Sequence, residues 1–97
     1  MFKVEVGKGP LMFMPYARII KEITNEDKVE ELEDVFYAIL YDFGIPIGCG
    51  RLKIEEKKYL IDNIKIIDEF NTEDLRNDIQ TQLLRKAKFL GLEENKL

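Results

Sequence analysis

The sequence predicts an α+β fold, an antiparallel β meander with packed helices. Three observations carry that prediction. Residues 35–42, 47–55 and 59–67 are runs of β-forming residues, alternating in pattern or apolar on both faces. The segments between them, Phe43-Gly44-Ile45-Pro46 and Glu55-Glu56-Lys57-Lys58, are short and turn-forming, which suits antiparallel neighbours. A capped amphipathic pattern over 72–90 follows and is long enough to lie across the three strands.

The stretch 59–91 is the best-specified unit. Strand periodicity puts Leu60, Ile64 and Ile66 on one face and Ile61 and Ile67 on the other, as in an interior strand covered on both sides. The helix start is written in Phe70-Asn71-Thr72-Glu73-Asp74-Leu75. Asn71 is placed to cap, Asp74 to reach back as a capping-box acid, and Phe70 to staple against Leu75. Leu75, Ile79, Leu83, Ala87 and Leu90 keep helical spacing, and Leu84 widens the stripe. Acids open the helix, Arg85, Lys86 and Lys88 close it, and Gly91 supplies the C-cap.

The first strand comes from Phe2, Val4 and Val6 alternating with Lys3 and Glu5, and it ends at Gly7-Lys8-Gly9-Pro10. Leu11-Met12-Phe13-Met14 is expected in the core, with the methionines filling gaps. Pro15 is expected in the first turn of a helix whose buried side is Ile19, Ile20 and Ile23 and whose end is Thr24-Asn25. The acidic stretch 25–34 reads as a short helix or ordered loop with a solvated face. In 47–55, Leu52 and Ile54 point inward, and Arg51, Lys53 and Glu55 outward.

Composition removes several classes of function. The 97 residues form one domain, 1–97, with room for a single modest core. A net charge of −4 with no basic concentration argues against nucleic acid and anionic membrane as partners. No histidine is present, so the commonest general base and metal ligand is missing, and no metal site is assigned. The single cysteine, Cys49, gives neither an internal disulfide nor a metal cluster, and it reads as a buried small hydrophobe. No stretch resembles a signal peptide or membrane span, which makes the cytoplasm the expected location. Tyr16, Tyr37, Tyr41 and Tyr59 form no evident stacking platform.

A family resemblance rests on particular residues. The run Val35-Phe36-Tyr37-Ala38-Ile39-Leu40-Tyr41-Asp42, then Gly44-Ile45-Pro46-Ile47-Gly48 and Gly50-Arg51-Leu52, resembles the second and third strands of the GNAT superfamily of N-acetyltransferases. Residues 59–91 are similar to that family's fourth strand and third helix, its acetyl-CoA unit. Ile79, Leu83 and Leu84 fall at the end of its phosphate-loop motif, and Ala87 with Leu90-Gly91 at its close. The resemblance implies the N-terminal half of a GNAT fold. It would place acetyl-CoA against Ile66, Ile67, Leu75, Arg76, Asn77, Asp78, Ile79 and Gln80.

Two departures from the pattern shape the functional expectation. No glycine stands between Leu75 and Gln80, where the family's loop lets backbone amides approach a pyrophosphate. Glu73 and Asp74 flank the only amides that a helix starting near Thr72 would leave free. The family also continues into a fifth strand and a fourth helix bearing a tyrosine acid, and 92–97 is too short and charged to supply them. Asp62 and Glu69 read as solvated carboxylates, and no catalytic residue is assigned. The expectation is a GNAT-like protein that binds no cofactor and acts through protein association. It pairs as a homodimer along the open edge of the strand that runs from Tyr59 to Ile67. The alternative is a minimal or split N-acetyltransferase that moves an acetyl group from acetyl-CoA to an amine.

Overall fold

A computed structural model describes residues 1–95 of the chain. Strand β1 (Phe2–Gly7) leads into helix α1 (Pro10–Thr24), and the meander β2 (Val35–Asp42), β3 (Ile45–Glu55) and β4 (Lys58–Ile66) follows. A 3-10 turn (Asp68–Phe70) then feeds α2 (Glu73–Phe89), and a short β5 (Glu93–Glu94) closes the described chain. The strands form one five-stranded sheet in the order β1-β2-β3-β4-β5. All neighbours are antiparallel except β4 and β5, which are parallel. No helix of the described residues is long and apolar enough to cross a membrane.

The unbroken apolar run in β2 is explained by a helix on each face of the sheet. Val35, Tyr37 and Ile39 of β2, with Cys49 of β3, pack against Tyr16, Ile19 and Ile20 of α1. The alternate residues Ala38 and Leu40, with Ile47, Leu52 and Ile66, pack against Leu75, Ile79, Leu83 and Ala87 of α2. On the α2 side the Phe36 ring lies between Lys8 and Lys86, whose ammonium groups sit 5.2 and 4.9 Å from its centroid. Leu75, Ile79 and Leu83 each withdraw roughly 1.5–3 kcal/mol worth of apolar surface from water, so the sheet and the helix stabilise one another. The sheet contacts α2 most closely at Gly50. A β-carbon there would lie 2.7 Å from Ile79 Cγ2 and 3.0 Å from Leu83 Cδ1, so only glycine admits the helix at this distance.

Several sequence expectations are corrected. A β-bulge interrupts β4: Cys49 pairs with Lys65 and Arg51 with Asp62, so Gly50 alone stands opposite both Asn63 and Ile64. Asn63 takes φ 52 to make room. The extra residue shifts the side-chain period by one, and Ile61 and Ile64 both join Ile66 on the α2 side. Leu60, which strict alternation groups with Ile64 and Ile66, is instead exposed.

The start of α1 also differs. The helix begins at Pro10, after Gly9 at φ 92, so Pro15 lies inside it. Pro15 has no amide hydrogen, which deprives the Leu11 carbonyl of its helical donor. Of Leu11-Met12-Phe13-Met14, the first and last are 87% and 63% exposed, and only Met12 and Phe13 reach the core. Asn25 ends the helix in the left-handed conformation, its amide donating to the Lys21 carbonyl at 2.9 Å. Residues 25–34 form a loop.

In α2 the cap is Thr72 rather than Asn71. The Thr72 hydroxyl accepts the Leu75 amide at 3.3 Å, and the box acid has no place because Leu75 occupies its position. Beyond Gly91, the chain adds a strand rather than a free tail. Lys58 pairs with Glu93 and Tyr59 with Glu94, and the Asn95 amide donates to the Tyr59 carbonyl at 2.9 Å. Lys96 and Leu97 lie outside the described residues.

Candidate functional site

The residues with an expected role toward a cofactor run from the end of β4 into α2. Ile66 is buried, and the Ile67 amide donates to the Ile47 carbonyl at 2.9 Å, which commits it to the sheet. The 3-10 turn closes with the Phe70 amide on the Ile67 carbonyl at 2.8 Å and the Asn71 amide on the Asp68 carbonyl at 3.2 Å. Leu75 and Ile79 point into the core. The Arg76 guanidinium donates to the Asn71 side chain, while Asn77, Asp78 and Gln80 are exposed. Asp78 opens onto a groove shared with Phe2, Thr81 and Arg85, whereas Gln80 opens onto another beside Tyr59, Leu84 and Glu94. The eight residues therefore spread around a regular helix and its approach and form no common concave surface.

A second cluster, unforeseen as a unit from the sequence, is built by the bulge. Turning β4 at Asn63 aims that side chain across the α1 face, where its Nδ2 donates to the Tyr16 hydroxyl at 3.0 Å. Next to it the Arg51 guanidinium grips Asp62 with two bonds, Nε to Oδ1 and Nη2 to Oδ2, each 2.8 Å. The Tyr16 and Tyr37 rings lie 4.7 Å apart, with Phe13 5.6 Å from Tyr37. Two of the four tyrosines thus do stack, but inside the core and not on an open face. Burial raises the Tyr16 hydroxyl above the ordinary phenol range against the Asn63 hydrogen bond and the Arg51 charge. Burial likewise pushes the Cys49 thiol up to about 12, so it is an inert filler, as expected without histidine.

Tyr16, Arg51 and Asn63 form the floor of a cavity of about 260 Å³. Ile20 of α1 and Val29 and Leu32 of the 25–34 loop form its apolar walls, and Glu26, Lys28 and Glu30 stand around the opening. The signal in the sequence was the polar pair Asp62-Asn63 inside an apolar strand opposite Gly50. Tyr16 lies 47 positions from Asn63, and no local pattern connects them.

No protein-family model matches the sequence, and no curated protein does. Solved structures do resemble the fold. An acyl-CoA N-acyltransferase from Pseudomonas aeruginosa superposes with a TM-score of 0.76 at 11% identity, over 93% of this chain and 73% of that one. This is the acyl-CoA N-acyltransferase fold. An aminoglycoside acetyltransferase from an uncultured soil metagenomic sample, in complex with trehalose, gives 0.79 at 10% identity, over 96% of this chain and 74% of its own. AAC(6')-Iy, solved with the bisubstrate analogue CoA-S-monomethyl-acetylneamine, gives 0.78 at 10%, over 97% and 76%.

The family resemblance would place a coenzyme A pyrophosphate at the β4–α2 junction. Asp68 and Glu69 open the 3-10 turn there, and Glu73 and Asp74 open α2. A pyrophosphate there would approach helix starts that carry these acids, with the Leu75 amide already held by Thr72 and the Ile67 amide by Ile47, and only the Glu73 and Asp74 amides beside their own carboxylates. The residues present do not fit that group.

Proposed function

We propose that this protein keeps the N-acyltransferase scaffold without its acetyl-CoA cradle and acts by associating with a second copy of itself. The observation that carries the reading is the acidic junction between β4 and α2, where a helix N-terminus that could favour an anion is instead flanked by like charge. Acetyl-CoA added at micromolar concentration should leave the amide resonances of 66–80 unmoved. Saturable shifts there would restore the alternative, transfer of an acetyl group from acetyl-CoA to an amine.

The edge of β4 supports the association. Among the described residues, β5 covers only Lys58 and Tyr59, and past that point the outer edge has no neighbouring strand. Strand β1 lies at the opposite edge of the sheet and cannot cover it. An open edge with apolar residues is a template for another strand. A second copy fits because the edge carries its own complement. Asp62 and Lys65 face the same side, opposite Arg51 and Cys49, and antiparallel two-fold pairing sets the exposed lysine of one copy toward the Arg51-paired Asp62 of the other. Sedimentation at micromolar concentration should give twice the 11.4 kDa chain mass. Lys65→Asp, a change at an exposed side chain, should return it to a monomer. A wild-type monomer, or a dimer indifferent to that charge reversal, sinks the pairing.

A further inference from the structure

The cavity beneath the 25–34 loop has a donor set that the fold does not consume. Arg51 has five N–H groups, of which Asp62 takes two. Among the described residues the others have no protein acceptor, yet no fully buried side-chain nitrogen or oxygen lacks a partner. The unpartnered Nη1 is therefore not fully buried, and Arg51 lines the cavity. The Tyr16 hydroxyl accepts from Asn63 at 3.0 Å and keeps its own proton to donate. These donors are fixed from below, because Arg51 is held by a two-bond pair on paired strands and Tyr16 by Asn63 and the Tyr37 ring.

Charge and size narrow the ligand. Arg51 and Lys28 contribute two cations, against the three carboxylates of Asp62, Glu26 and Glu30. The surplus acid disfavours a phosphate dianion. It suits a molecule whose single carboxylate meets Arg51 and Tyr16 while an ammonium group meets Glu26 or Glu30. The volume of about 260 Å³ holds only a small molecule, and Ile20, Val29 and Leu32 offer it an apolar wall. We infer that this cavity binds a small apolar α-amino acid as its zwitterion, the carboxylate on Arg51 and Tyr16 and the side chain against Ile20, Val29 and Leu32. This site is separate from the β4–α2 junction and stands whether or not acetyl-CoA binds.

The test is a titration of the wild-type protein with L-valine, read from the Arg51 Nε–H and the Asn63 side-chain amide resonances. Saturable shifts are expected with L-valine. They should be lost with L-valinamide, which has no carboxylate, and weakened with 3-methylbutanoate, which has no ammonium group. Tyr16→Phe should weaken L-valine roughly fivefold, the loss of one hydrogen bond. Absence of a saturable shift with L-valine overturns the assignment. So does equal binding of the amide or of 3-methylbutanoate, or a Tyr16→Phe variant that remains folded by its amide spectrum and binds L-valine unchanged. Because these ligand comparisons use the unaltered chain, they hold even if the variant fails to fold.

Discussion

At the scale of single residues, Gly50 does two jobs with one missing β-carbon. It lets Ile79 and Leu83 seat against the sheet, and it stands alone opposite the two bulge residues Asn63 and Ile64. Gly50→Ala would put a methyl 2.7 Å from Ile79 Cγ2, inside van der Waals contact with a buried residue of the central helix. The overpacking should cost about 1–3 kcal/mol, read as a lower urea midpoint at unchanged slope. An unchanged midpoint would mean that α2 lies farther from the sheet. Both a bulge and close helix packing meet at this one glycine. Cys49 was readable: without a histidine to activate it, a lone cysteine in a β run is a small hydrophobe, and it is buried.

At the scale of elements, α2 was legible in length and stripe because its apolar positions repeat at helical spacing and its termini carry the charges that the helix dipole favours. Its cap was read one residue early. Asn71 and Thr72 are both good caps by chemistry, and the choice is made by the 3-10 turn, which uses the Asn71 amide and leaves Thr72 extended at φ −124. Thr72→Ala should therefore lower stability by about 1 kcal/mol, and Asn71→Ala by less. Thermal or urea unfolding of the two variants decides it, and the reverse order would return the cap to Asn71. Strand β4 was legible in extent but not in facing. A bulge is set by the partner strand and by the φ 52 that Asn63 adopts, neither of which is a periodic signal. That one insertion hid the candidate ligand cavity, because alternation alone gives no reason to aim Asn63 at Tyr16.

At the scale of the whole molecule, the meander and the helix across it follow from local pattern, while placement of the outer parts does not. Val35, Tyr37 and Ile39 alternate with Ala38 and Leu40 in a strand covered on both faces, by α1 on one side and α2 on the other. That β1 lies beside β2, and that residues after Gly91 join β4 in parallel, are long-range pairings with no local signature. The N-acyltransferase architecture is thus present at 10–11% identity to the solved structures compared, with acids at the start of the 3-10 turn and of α2. The most direct test of that account is a calorimetric titration of the protein with acetyl-CoA. The acidic junction predicts no saturable heat below millimolar concentration. A micromolar dissociation constant would contradict it and return the protein to the acetyl-transferring enzymes.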